Sequence, residues 1–598
     1  MSDAPAAAPL TGMGALVAPD GVGFRVWAPH ARAVCVVGTF NDWESGRDPL
    51  ASEHNGYWYG FVPGAGVGDE YRFELTAGDR RLSKVDPYAA QVTNSIGNGV
   101  VYDHAGFDWE GDDFRCPPHN ELVIYELHIG TFAGEDGEPV GDLGDASGRL
   151  DHLVRLGINA IQVMPLAEFA GDHSWGYNPA HIFAVESAYG GPDALKRFVR
   201  QAHRRGIAVI LDVVYNHFGP SDLNLWQFDG WSEHGKGGIY FYNDWRSATP
   251  WGDTRPDYGR GEVRQFIRDN ARTWLSAYHL DGLRYDMTPY MRSVNATWTD
   301  IPDGWSLCRW INTEIRELHP DKILIAEDLH SDPAVSSTRP DGAAFHAQWD
   351  AQFVHPVRKA LIAVDDAWRS TAEVATAIAH TYGGDAFARV IYTESHDEVA
   401  NGKARVPQEV DPDDPTGYYA RKRSTLGAGL VFTAPGIPMI FQGQEFLEGG
   451  WFRDTVGVDW DQDEEFHGIV RLYRDLIRLR RNAQGVTAGL TGQGTWLYHN
   501  NDDANLIAFQ RWRHHGPGDD VVVVANLSAV TLLGYRIGFP AEGRWKLVFN
   551  SDSIAYSDDF GSGLAKDVEA GPDDYDRLAA SGTLAIGPYT VLVYSWEG

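Results

Sequence analysis

The chain has 598 residues, 83 acidic against 50 basic, for a formal net charge of −33. A polyanion such as duplex DNA, or an anionic membrane, would be repelled by that charge, so both are set aside as partners, while a neutral ligand is not. At roughly 100–200 residues per domain, the length allows about three or four domains. The three cysteines, Cys35, Cys116 and Cys308, are scattered, with no CxxC pair and no disulfide framework. No run approaches the about 18 apolar residues of a membrane span. Met1–Gly14 has neither a basic leader nor a long apolar stretch, which points to the cytoplasm.

Residues 1–15 are rich in Ala and Pro and read as a frayed start. From Gly21 the pattern becomes a series of short strands: Gly23–Pro29, Ala33–Phe40, Tyr57–Val62 and Tyr71–Leu75. Short alternating runs broken by turn residues predict a β-sandwich, assigned here to residues 16–108.

From Leu122 apolar strands alternate with amphipathic helical stretches. The strand-like runs are Leu122–Phe132, Ile158–Leu166, Gly206–His217, Leu280–Met287, Ile323–Asp328, a weaker Ala343–Asp350, Phe387–Asp397 and Gly436–Phe446. Eight such units predict a (β/α)8 TIM barrel over residues 109–485. A doubly wound sheet is disfavoured because no Gly-rich nucleotide turn is present. An aromatic-rich insertion, 218–260, interrupts the barrel after the third strand; such long loops are commonly functional. The pattern returns to strands over 486–598, an all-β C-terminal domain. The fold class is thus multidomain: a barrel flanked by two β domains.

Catalytic residues of such barrels collect at the C-terminal ends of the strands. Four strand ends here are polar: Asp212 with Asn216 and His217, Arg284-Tyr285-Asp286, Glu327-Asp328, and Glu394-Ser395-His396-Asp397. One Asp after a strand is most often a helix cap. Four such ends, with Arg and His interleaved, indicate an active site. Arg284 and Asp286, two apart on a strand, share one face. A guanidinium there would hold Asp286 ionised and lower its pKa. Asp328 would face the other way, as a brace.

The segments DVVYNH (Asp212–His217), GLRYDMTPYM (Gly282–Met291), IAED (Ile325–Asp328) and ESHD (Glu394–Asp397) resemble the four motifs of the α-amylase superfamily of retaining glycoside hydrolases and transglycosylases, in that family's order. Gly23–Trp43 resembles the glycogen-binding-type sandwich of branching enzymes and trehalose-releasing relatives. The resemblance implies Asp286 as nucleophile, Glu327 as general acid/base and Asp397 as transition-state stabiliser. It implies that Tyr177, in SWGYNP, stacks on the sugar, that His217 and His396 bind its hydroxyls, and that Asp212 braces Arg284. Retaining transfer needs two carboxyl groups about 5–5.5 Å apart, one attacking and one donating a proton.

ESHDE and Val548–Gly563 resemble 1,4-α-glucan branching enzymes, whereas DVVYNHFGPSD and GLRYDMTPYM resemble hydrolases of maltooligosyl trehalose. The first reading is a branching enzyme acting on α-glucan such as glycogen, amylose or maltooligosaccharide. A hydrolase, amylase-like or trehalose-releasing, is the alternative. Trp226, Trp231, Tyr240 and Trp245 of the insertion are candidate sugar-stacking platforms, as is Trp175, which could equally be core. Gln442, Gln444 and Glu445 either line the site or satisfy loop amides. No cofactor is implied, and the acidic residues of the insertion lack the spacing of an EF-hand calcium loop.

Overall fold

The computed structural model describes residues 10–134, 141–297, 299–561 and 564–598. Most of the stretch expected to fray thus lies outside the described residues. Its end does not fray: Gly14–Ala18 is a strand, paired antiparallel with Gly21–Trp27. Seven strands between Gly14 and Lys84 form one hydrogen-bonded path, and an eighth, Gly99–Val100, pairs with the sixth beside it. Phe24, from the second strand, packs against Tyr71 and Phe73 of the sixth, with ring centroids 5.0 and 6.4 Å apart. The two halves of the path therefore close on a common apolar core, as expected of a sandwich.

Eight parallel strands then close a barrel. We number them β1 (Ile124–Leu127), β2 (Ala160–Val163), β3 (Ala208–Val213), β4 (Gly282–Tyr285), β5 (Ile323–Ala326), β6 (Ala347–Trp349), β7 (Arg389–Ile391) and β8 (Ile437–Phe441). All eight runs read from the sequence are present, though shorter. Almost every residue in them is buried, because helices cover the outside and side chains fill the interior. The first run is not one strand: after Leu127 the chain turns into a short helix, Ile129–Phe132. Two amides, of Thr131 and Phe132, converge on the His128 carbonyl and end the extended conformation.

Helices Gly191–Arg204 and Gly261–Ser276 return the chain to β3 and β4, each burying one apolar face. Helix His467–Arg480 leads out of the barrel. The strands from Gly494 to Trp596 form a six-stranded and a two-stranded sheet. Their shared core holds Ile537, Phe539, Trp545, Leu592 and Tyr594.

The insertion after β3 has little regular structure beyond one short helix, Trp245–Ser247. Two of its aromatics, Tyr240 and Trp231, face the N-terminal sandwich. Tyr240 is 2% exposed and meets Trp27 edge-on at 5.5 Å. Trp231 stacks on His30 at 4.7 Å. Trp226 packs against Phe241. Polar contacts follow the same seam: the buried Asp229 carboxylate accepts from the His30 amide and sits 2.8 Å from its Nδ1, and Lys84 Nζ donates to the carbonyls of Asn224 and Trp226. The stacking role expected of Tyr240 and Trp231 is therefore corrected, and Trp226 packs within the insertion itself. The Tyr240 and Trp231 rings hold the sandwich to the barrel, since apolar faces gain more by covering one another than by facing water.

Candidate active site

The site forms at the C-terminal mouth of the barrel, where strand register places its members side by side. Asp212 on β3 is the register partner of Arg284 on β4. Arg284 is fully buried, and its Nη1 lies 2.6 Å from Asp212 Oδ2 and 3.2 Å from Asp286 Oδ1. Its Nη2 lies 2.8 Å from Glu327 Oε2, an ion contact without hydrogen-bond alignment. One guanidinium thus touches the carboxylates of β3, β4 and β5.

Asp286 also accepts from Asn216 Nδ2, at 2.7 Å. Glu327 accepts from the Met287 amide at 2.9 Å. Met287 holds φ at 36°, a left-handed conformation unusual for a long side chain. Strain of this kind is found where the backbone must aim a group, and here it aims an amide at Glu327. Asp328 turns away, as expected, to Thr288 Oγ1 and Arg292.

Burial dominates the electrostatics. It raises Glu327 to about 8, against Arg284 and with the help of Asp286 and Asp397. Burial likewise raises Asp286 to about 6 and Asp212 to about 6, in both cases opposed by Arg284. The expectation that Asp286 would be lowered is corrected: Arg284 pulls in that direction, but desolvation of a fully enclosed carboxylate outweighs it. Near pH 7 the site holds a protonated Glu327 beside an ionised Asp286.

Asp397 is the most open of the carboxylates, its side chain 43% exposed. His396, beside it, lies with Nε2 3.7 Å from Asp397 Oδ2. Its Nδ1 is 2.8 Å from Glu126 Oε1, and its amide donates to Glu126 Oε2. Burial alone would lower the His396 pKa, but Asp397 and Glu126 outweigh it and raise it to about 9. Tyr177 donates its hydroxyl to Asp212 and stacks on His396 at 5.1 Å.

His217 is 1% exposed, and burial lowers its pKa to about 4. Its Nε2 lies 2.8 Å from the Tyr177 carbonyl and its Nδ1 2.6 Å from Asn216 Oδ1. The neutral ring carries one N–H and donates it to one of these two acceptor oxygens, while the other nitrogen keeps its lone pair. Trp175 wedges between Phe452, at 5.2 Å, and the edge of His396. Trp245 is the exposed member of the insertion candidates, at 61%.

Sequence reading missed three members. Glu126, buried on β1, orients His396; its signal was a carboxylate inside an apolar strand. Trp349 on β6 lies under the Arg284 guanidinium at 4.3 Å. Trp251 stacks on His217 at 4.4 Å and meets Tyr290 edge-on at 5.2 Å. Gln442, Gln444 and Glu445 satisfy neighbouring groups: Gln442 and Gln444 accept from the amides of His128 and Phe441, and Glu445 from Tyr125. Among the described residues no cluster of three or more His, Cys, Asp or Glu side chains is arranged to hold a metal ion.

The family model of the α-amylase catalytic domain matches residues 127–245 and 252–512, the stretch that builds this barrel and its mouth. The chain belongs to the α-amylase family. It is an enzyme of that family, with a carbohydrate-binding module 48 (isoamylase N-terminal domain) matched at 12–89 and an α-amylase C-terminal all-β domain at 496–597. It is 31% identical to the 1,4-α-glucan branching enzyme GlgB 1 of Xanthomonas campestris, over 97% of the enzyme and 82% of that relative. Identity is also 31% to the branching enzyme GlgB of Corynebacterium jeikeium, over the same shares. Among solved structures, the fold matches the type I pullulanase of Bacillus subtilis, crystallised with maltose, at a TM-score of 0.77 and 21% identity, covering 98% of this chain and 86% of that one. No helix among the described residues is long and apolar enough to cross a membrane.

Proposed function

We propose that the enzyme is a 1,4-α-glucan branching enzyme. The observation that carries this reading is its similarity, over almost the whole chain, to enzymes of that name. The carbohydrate-binding module match supports a glucan ligand.

Asp286 attacks the anomeric carbon of an α-1,4 bond while Glu327, protonated near neutral pH, gives its proton to the departing glucosyl oxygen. The glycosyl-Asp286 ester is then opened by a 6-hydroxyl of a second chain, whose proton passes to Glu327. Asp397 and the cationic His396 steady the sugar whose bond is broken. Arg284 cannot itself protonate anything in this range; its task is to keep Asp286 ionised against burial and to hold both carboxyl groups in place. Trp251, 38% exposed, rests on His217 and meets Tyr290 edge-on, and this corner is an aromatic face open to a glucan.

Transfer and hydrolysis share these carboxyl groups and differ only in the acceptor. Incubation with amylose, following iodine colour, reducing ends and α-1,6 linkages by NMR, tests the reading. Loss of iodine colour with new α-1,6 linkages and few new reducing ends is expected. Reducing ends rising in step with cleavage, without α-1,6 linkages, would overturn it in favour of a hydrolase. Trehalose release from maltooligosyl trehalose would then distinguish the two kinds of hydrolase.

A further inference from the structure

A groove of about 730 Å³ lies between the loops that follow β7 and β8. Its walls include Ile362, Lys403, Gln408, Pro412, Gly450 and Trp451. Trp451 is 58% exposed. The Arg453 guanidinium lies over its ring at 5.3 Å and backs one face. Gln408 is spent on structure, accepting from the Gly450 amide and donating to the Pro412 carbonyl. The loops are thereby braced with the indole left facing solvent.

Two connections join the groove to the active site. Asn401, next to its wall, donates to Asp397 Oδ1 at 3.4 Å. Phe452, next to Trp451, bonds its amide to the Val399 carbonyl and packs on Trp175, which touches His396. The groove therefore opens on the Tyr177–His396 side, where the sugar that becomes bound to Asp286 must lie. A chain crossing the site has its transferred part toward Trp451.

We propose that this groove is a remote binding site for the transferred part of an α-1,4-glucan chain, with Trp451 as its stacking platform. It rests on the reading of the enzyme as α-glucan-active, not on branching as such. A neutral ligand suits it: sugar C–H faces pack on an indole without needing charge, and the strongly acidic protein does not repel them. Engagement several sugars from the broken bond makes the enzyme prefer long donors and sets the length of chain it moves.

The test compares wild type, Trp451→Ala and Trp451→Phe on maltotetraose and on amylose, scoring bond cleavage. In Trp451→Ala the ratio of kcat/KM on amylose to that on maltotetraose should fall about threefold to tenfold, as expected for loss of one aromatic contact. Trp451→Phe should keep most of it. An enzyme preparation that is partly unfolded loses both values together and leaves the ratio alone. A ratio equal to wild type in Trp451→Ala overturns the proposal. Should wild type form no α-1,6 linkages, the branching reading falls, and the ratio still decides the groove.

Discussion

Arg284 Nη2 stands 2.8 Å from Glu327 Oε2, while the same guanidinium, through Nη1, contacts Asp212 and Asp286. A cation touching the acid would ordinarily strip its proton. Here burial outweighs it and Glu327 remains raised to about 8, with Asp286 at about 6. One residue thus serves two carboxyl groups that must differ in charge.

Activity should follow a bell with pH. The acid limb falls as Asp286 protonates, below about 6, and the alkaline limb falls as Glu327 ionises, above about 8. The two groups interact, so the limbs belong to the pair. Initial rates on amylose from pH 4.5 to 9.5 check this; a flat profile from pH 5 to 9 would refute the protonation states.

Arg284→Gln should lower kcat/KM by more than about 100-fold, a loss of the size attached to misplaced or misionised catalytic groups. Its acid limb should move to higher pH, because the cation opposing the rise of Asp286 is gone. Lys at this position should not rescue, since one ammonium cannot span three carboxylates as a planar fork does. An unmoved acid limb would detach Arg284 from the ionisation of Asp286.

Glu327→Gln should slow both half-reactions. A maltosyl fluoride needs little protonation to leave, so its first half-reaction should recover most of the wild-type rate. Asp286→Asn should show no such recovery. If the fluoride is cleaved as poorly as glucan by Glu327→Gln, Glu327 is not the acid.

The same Glu327 substitution should alter stability with pH. The folded group, raised from 4.5 to about 8, holds its proton where the unfolded chain has lost it. Between those values the folded state binds more protons, so stability falls as pH rises through the interval. Wild type should lose unfolding free energy relative to Glu327→Gln from pH 4.5 to 8, and level off above. Denaturant melts at three pH values measure it; parallel losses in the two proteins would contradict the raised pKa.

Asp229→Ala should loosen the N-terminal sandwich. It leaves the His30 amide and the Trp231 amide without their acceptor, at about 1–3 kcal/mol for each group kept from water. Limited proteolysis should then cut between sandwich and barrel sooner, with turnover of short substrates retained. Wild-type protease resistance would show that the seam holds without the Asp229 contacts.

The order of the strands and the positions of Asp212, Arg284, Asp286, Glu327 and Asp397 are local facts, legible because a barrel strand ends in the residues it presents. Strand alternation likewise placed Arg284 beside Asp286 and turned Asp328 away. The direction of the Asp286 shift was not legible, since it depends on how much water the whole barrel mouth excludes. Nor was the task of the insertion: Tyr240 and Trp251 are both aromatic residues in one loop, yet one is sealed under the N-terminal sandwich and the other rests on His217. Which face of a ring is covered is decided by elements far away in sequence, here Trp27 against Tyr240 and the β3 end against Trp251. Chain chemistry determined what could react, and packing decided which groups are charged, which rings are free and from which side a glucan can enter.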